Sequence, residues 1–123
     1  MKKNNRPISP HLQIYRPQLT SILSISHRFT GVILYLSIFF VSFWLFCTAF
    51  NNELKVIIEN FLFSIFGKIV LFSITFSFIY HFLNGIRHIV WDFGFGFNIK
   101  NVYLTGFIII LLTLAINIYI WFF

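Results

Sequence analysis

The run F-T-G-V-I-L-Y-L-S-I-F-F-V-S-F-W-L-F-C-T-A-F, Phe29 to Phe50, holds 22 consecutive residues without a charge. A helix needs roughly 20 residues to cross a hydrocarbon core, because each residue advances the chain by about 1.5 Å. Two more charge-free windows follow, 18 residues from Ile69 to Ile86 and 22 from Val102 to Phe123. The middle span is read from Phe61 onward, since a lone Lys68 near its end can extend its ammonium to the headgroups. The expected fold is all-α: an integral membrane protein with three transmembrane helices, at about 22–50, 61–92 and 102–123. A non-helical N-terminal arm, residues 1–20, precedes them, and the whole of 1–123 is read as a single membrane-anchor domain.

Composition supports the same class. Of 123 residues 59% are hydrophobic and 10% charged, and the mean hydropathy is +0.87. A soluble domain of this size has too little interior to hide that much apolar surface. The formal charge of +6 comes from nine Lys and Arg, five of which (Lys2, Lys3, Arg6, Arg16, Arg28) precede the first helix. That clustering follows the positive-inside rule, so no nucleic-acid partner is expected. The N-terminus is expected on the cytoplasmic or matrix side and the C-terminus opposite, with residues 51–60 as an outer loop and 93–101 as an inner one.

The first 28 residues are polar and lack a short apolar core with a cleavage site, so no cleavable signal peptide is expected. Pro7, Pro10 and Pro17 bar one continuous helix through the arm. Cys47 is the only cysteine and is read as a small apolar packing residue. The 19 phenylalanines are read as lipid-facing bulk, and Trp91, Tyr103 and Trp121 as interfacial rings near helix ends.

Two polar stretches interrupt this pattern. Helix two ends in Y-H-F-L-N-G-I-R-H-I-V-W-D, Tyr80 to Asp92. At about 100° per residue, His81, Asn84, Gly85, His88 and Asp92 fall on one face, at 0, −60, +40, −20 and +20°. A polar stripe within a bilayer has to face protein, water or a cofactor. With Asp92 as the inner boundary, His88 lies roughly 6 Å inward and His81 roughly 16 Å, near mid-membrane. A neutral histidine that deep needs a hydrogen-bond partner, a proton relay or a metal. Gly85, on the same side, removes bulk where a flat ligand could lie, which favours a haem with His81 as axial ligand to its iron.

His81 and His88 cannot both ligate one iron, because they point the same way about 10.5 Å apart along a single helix. His27 is expected near the inner boundary, too shallow for an iron held by deep His81; if His81 binds haem iron with a second protein ligand, that ligand comes from another chain. His27, Arg28 and His88, with Arg87, are expected at one level near the inner face, where inward-turned haem propionates would meet cationic donors. In the other polar stretch, S-I-S-H-R-F-T-G, Ser24 and Arg28 lie four residues apart on one helical face. A hydroxyl beside a guanidinium forms a donor pair for a carbonyl oxygen at the membrane edge, which suits a quinone head group.

R-P-I-S-P-H-L-Q-I-Y (Arg6 to Tyr15), S-I-S-H-R-F-T-G (Ser24 to Gly31) and H-F-L-N-G-I-R-H-I-V-W-D (His81 to Asp92) together resemble the cytochrome b556 family of succinate dehydrogenase. These are the larger membrane anchors of respiratory complex II in its mitochondrial and alphaproteobacterial form, and the resemblance covers nearly the whole chain. It implies haem b with His81 as one axial ligand and the small membrane anchor subunit supplying the other. It implies ubiquinone as substrate at Ser24, Ile25 and Arg28, and His27, Arg28 and His88 near the propionates. The flavoprotein subunit and the iron–sulfur subunit are the implied partners; succinate oxidation belongs to the first, so this chain has no independent catalytic activity. The implied location is the mitochondrial inner membrane or the bacterial cytoplasmic membrane. Two rivals keep the helices but change the chemistry: a small proton channel or transporter relaying through His81, His88 and Asp92, and a purely structural anchor without haem.

Overall fold

The computed structural model describes residues 17–123; the arm over 1–16, with Pro7, Pro10, four of the early cations and the Arg6–Tyr15 motif, lies outside them. Four helices follow in order: α1 (Leu19–Phe50), α2 (Asn52–Phe63), α3 (Ile65–Asp92) and α4 (Ile99–Phe122). α1, α3 and α4 are long and apolar enough to cross a membrane, which bears out the expected three-span all-α architecture. α1 starts at Leu19, a turn before the expected position, because nothing between Gln18 and the first apolar residues breaks a helix. α4 starts at Ile99 rather than 102. Charge-free windows mark where lipid begins, whereas a helix continues outward until a capping or turning residue stops it.

Residues 51–60 were expected to be a loop, and here the structure differs. Asn51, with φ −146° and ψ 92°, turns the chain after α1 and caps α2, its Oδ1 accepting the Leu54 N–H at 3.1 Å. Glu53 in the first turn complements the helix dipole, and Lys55 pairs with Glu59 at 3.8 Å across one turn. A second break then separates α2 from α3, so the middle span begins at Ile65 and not at 61. Ser64 makes that break: its Oγ accepts the Gly67 N–H at 3.1 Å and donates to the Phe61 carbonyl at 2.5 Å. Gly67 is required there, because a Cβ would overlap the Phe61 carbonyl oxygen and the Leu62 backbone.

The three long helices run antiparallel in sequence. Leu23 of α1, Tyr80 of α3 and Ile109 of α4 form a buried cluster joined by Leu19, Phe76, Leu83 and Ile110. Otherwise the interior is small and polar: Thr30, Ser77, Asn84, Arg87, Thr113 and Asn117 are buried, while phenylalanines such as Phe29, Phe39, Phe43 and Phe46 are exposed. A water-soluble core would invert that distribution; in a bilayer lipid solvates the aromatic rings and the helices meet through small and hydrogen-bonding residues. Cys47 is fully buried, as expected of a packing residue. At the end of the bundle remote from His27, Trp121 turns its indole inward and donates to Thr75 Oγ1 at 3.0 Å, and Thr75 in turn donates to Asn117 Oδ1 at 2.9 Å.

Candidate functional site

α1 and α3 bring the two polar stretches together. The imidazoles of His27 and His81 stack with centroids 3.9 Å apart and an interplanar angle of 11°, and His88 lies 5.3 Å from His27 in a tilted contact. The expected depth difference between His27 and His81 is therefore wrong: the two rings share one level. The error lay in placing His27 near the inner boundary. α1 begins two turns before His27, so His27 is already well inside the helical bundle.

His81 Nδ1 lies 3.1 Å from the His27 carbonyl oxygen and 3.3 Å from Thr30 Oγ1. A carbonyl only accepts, so Nδ1 carries the proton and donates to it, and Nε2 keeps its in-plane lone pair. Ligand histidines are commonly prepared in this way, the hydrogen bond at one nitrogen fixing the tautomer and aiming the other. Stacked as they are, His27 and His81 leave no gap for an iron between opposed nitrogens. Face-to-face rings also give no N–H···N path between His27 and His81.

Small residues surround the pair. A Cβ on Gly31 would approach His81 Cε1 to 3.1 Å, so glycine is needed for the ring to lie against α1. At Gly85 a Cβ would make only an ordinary contact, 3.9 Å from His27 Cε1, so packing within the chain does not demand glycine there. His27 Nδ1 is buried and without a hydrogen-bond partner among the described residues. An unsatisfied buried ring nitrogen is costly unless a ligand supplies its partner. A prepared Nε2 on His81, this orphaned nitrogen and an uncrowded Gly85 together fit a flat, acid-bearing group such as haem.

Of the other expected site residues, Arg28 and Ile25 are exposed on the outside of α1, Ile25 at 66%. Ser24 is half-buried and lines, with Thr20, Ser21 and Ile25, an open groove of about 410 Å³. Asp92, the last residue of α3, is exposed, and Asn84 is fully buried. Arg87 departs from the expected cationic layer: it points away from the histidines toward α4. Its Nε donates to Thr105 Oγ1 at 3.1 Å and a terminal nitrogen donates to the Val102 carbonyl at 2.6 Å.

Three positions escaped the sequence reading as site residues. Thr30 and Gly31 stood inside the quoted motif, and a glycine within a helical pattern was the available signal, since it costs about 1 kcal/mol relative to alanine unless packing requires it. Tyr80 donates to the Leu23 carbonyl at 2.9 Å and so ties α3 to α1 beside Ser24; only the fold reveals that pairing.

Three antiparallel spans, with a histidine cluster between the first two, define an all-α membrane-spanning protein. Residues 2–120 match the model of the succinate dehydrogenase/fumarate reductase transmembrane subunit family. The chain is 39% identical over 118 residues to the succinate dehydrogenase cytochrome b556 subunit of Rickettsia prowazekii, covering 96% of this chain and 92% of the relative. It is 40% identical over 124 residues to the cytochrome b560 subunit of Reclinomonas americana, with 95% and 85% covered. To the mitochondrial cytochrome b560 subunit of Sus scrofa it is 36% identical over 117 residues, with 94% and 69% covered. The chain belongs to the succinate dehydrogenase/fumarate reductase transmembrane subunit family, among the cytochrome b subunits of succinate dehydrogenase.

Proposed function

We propose that this chain is the larger membrane anchor of complex II, that it holds haem b jointly with the small anchor subunit, and that its α1 forms part of the ubiquinone-reduction site. The observation that carries the reading is the His81 hydrogen bond to the His27 carbonyl, which leaves Nε2 free to ligate iron. Haem, when bound, supplies a one-electron carrier within the membrane. The chain's own part is to hold His81 in one tautomer and orientation, keep the space beside Gly31 and Gly85 clear, and offer His27, His88 and Arg28 to the propionates.

For the quinone, Ser24 donates a neutral hydrogen bond to a carbonyl oxygen, and Arg28 a charge-assisted one that grows stronger as negative charge builds on that oxygen. Ile25 supplies apolar contact beside them, and the exposure of this face to lipid lets an isoprenoid tail reach the groove. Electrons arrive from the iron–sulfur subunit and succinate is oxidised on the flavoprotein subunit; this chain has no activity of its own. Its membrane is the bacterial cytoplasmic or mitochondrial inner membrane, with the N-terminus on the cytoplasmic or matrix side.

The test is a dithionite-reduced minus oxidised spectrum of the purified complex, for wild type and His81→Leu. Wild type should show a haem b Soret band that His81→Leu weakens or abolishes, since the iron loses one of two axial nitrogens. A full haem complement with an unchanged bis-histidine spectrum in the variant rules out His81 as ligand.

A further inference from the structure

Arg87 is only 6% exposed, yet among the described residues it has no carboxylate partner. Its donors go to neutral groups instead: Thr105 Oγ1 at 3.1 Å and the Val102 carbonyl at 2.6 Å on α4, and Asn84 Oδ1 at 3.4 Å on its own helix. The guanidinium carbon also stands 4.1 Å from the centroid of the Trp91 ring. A planar cation over an indole face is a favourable pairing, and one worth more where water is excluded. Trp91 meets the His88 ring edge-on, centroids 5.2 Å apart at 85°, and His88 in turn contacts His27.

The α3–α4 loop meets the indole as well. Phe97 stacks on it at 6.2 Å, and the chain reaches that position through Gly94 and Gly96, whose φ values of +84° and +82° favour glycine. A Cβ on Gly96 would come within 3.7 Å of the indole. Trp91 thus contacts Arg87, the α3–α4 loop and His88. The interfacial role expected for this tryptophan does not account for a buried arginine lying over it.

We propose that Arg87 is a positioning residue for the histidine layer: anchored to the first two turns of α4, it holds Trp91 against His88 and thereby sets the ring orientation that His88 presents beside His27. The chemical purpose assigned to that orientation, donation to an acidic cofactor group, rests on the haem reading; the clamp itself does not. Arg87 touches none of the reacting atoms and acts through Trp91.

The experiment uses the assembled complex, with side-chain positions read from cryo-electron microscopy maps and the oxidised haem read by electron paramagnetic resonance. Arg87→Gln and Trp91→Leu should each lose the edge contact between Trp91 or its replacement and His88 and shift the haem resonance. Trp91→Phe, which keeps an aromatic face for Arg87 and an edge for His88, should restore both. The double variant Arg87→Gln/Trp91→Leu should go no further than either single change, because the two act in series. Thr105→Val, which removes one anchor while keeping the guanidinium, serves if Arg87→Gln fails to assemble, and should loosen the same contact. A His88 ring unmoved in Arg87→Gln, or in Thr105→Val where that variant replaces it, overturns the proposal. So does a Trp91→Phe variant that behaves like Trp91→Leu. A wild-type complex without haem would overturn the haem reading alone, since the ring positions are still read from the maps.

Discussion

At the scale of single residues, the site depends on what each side chain denies its neighbour as much as on what it offers. Gly31 matters because it has no Cβ: Gly31→Val puts branched bulk where only 3.1 Å separates a Cβ from His81 Cε1. Overpacking of that kind costs about 1–3 kcal/mol, and here the ring is what has to move. Haem content per complex should fall in Gly31→Val; wild-type haem content in that variant would mean that the His81–α1 contact does not matter. In the proposed quinone site Ser24 and Arg28 act by donation. Ser24→Ala removes a neutral hydrogen bond worth ~0.5–1.5 kcal/mol and Arg28→Leu a charge-assisted one worth ~1.5–3 kcal/mol. Ubiquinone reduction should weaken in both variants, more in Arg28→Leu, whereas succinate oxidation by an acceptor that takes electrons at the flavin stays near wild type. The ratio of the two activities, corrected for haem content, is the measurement. Wild-type rate and affinity for ubiquinone in both variants would refute the quinone assignment.

At the scale of elements, helix ends decide the geometry. Asn51 and Ser64 each cap a following helix, and between them α2 is set apart from both spans. A Gly67→Ala substitution places its Cβ against backbone and not against a yielding side chain, so the α2–α3 turn has to open. The midpoint of thermal denaturation of the complex should drop, by more than for Asn51→Ala, whose lost cap costs ~0.5–2 kcal/mol. An Asn51→Ala variant more damaging than Gly67→Ala would show that the turn is softer than its contacts indicate. His81 lies four turns into α3 and is joined to this remote turn only through the helix itself, so haem content should survive both changes.

At the scale of the whole molecule, the up-down-up order of α1, α3 and α4 gathers the start of α1, the end of α3 and the start of α4 at one end of the bundle. With five cations ahead of the first apolar run, that end is expected on the cytoplasmic or matrix side. A reporter fused after Phe123 should therefore read outside, and one inserted near Asn98 inside. An inside C-terminus would overturn the expected orientation.

The three spans, the all-α class and the histidine-bearing faces were legible in the sequence because hydrocarbon imposes a local rule: each span must satisfy its own backbone and present apolar side chains over a fixed length. The polar stripe on α3 was legible for the same reason, since polar groups at membrane depth stand out against the apolar background. What the sequence left open depended on distances between helices. Whether His27 lies above or beside His81 turns on how far α1 and α3 slide past each other, and charge-free windows do not report that offset. Arg87 could be assigned a level from its position but not a direction, because the guanidinium at the end of its long side chain reaches whichever helix offers acceptors. The packing of α4 offered Thr105 and Val102, and so carried the charge away from the histidines.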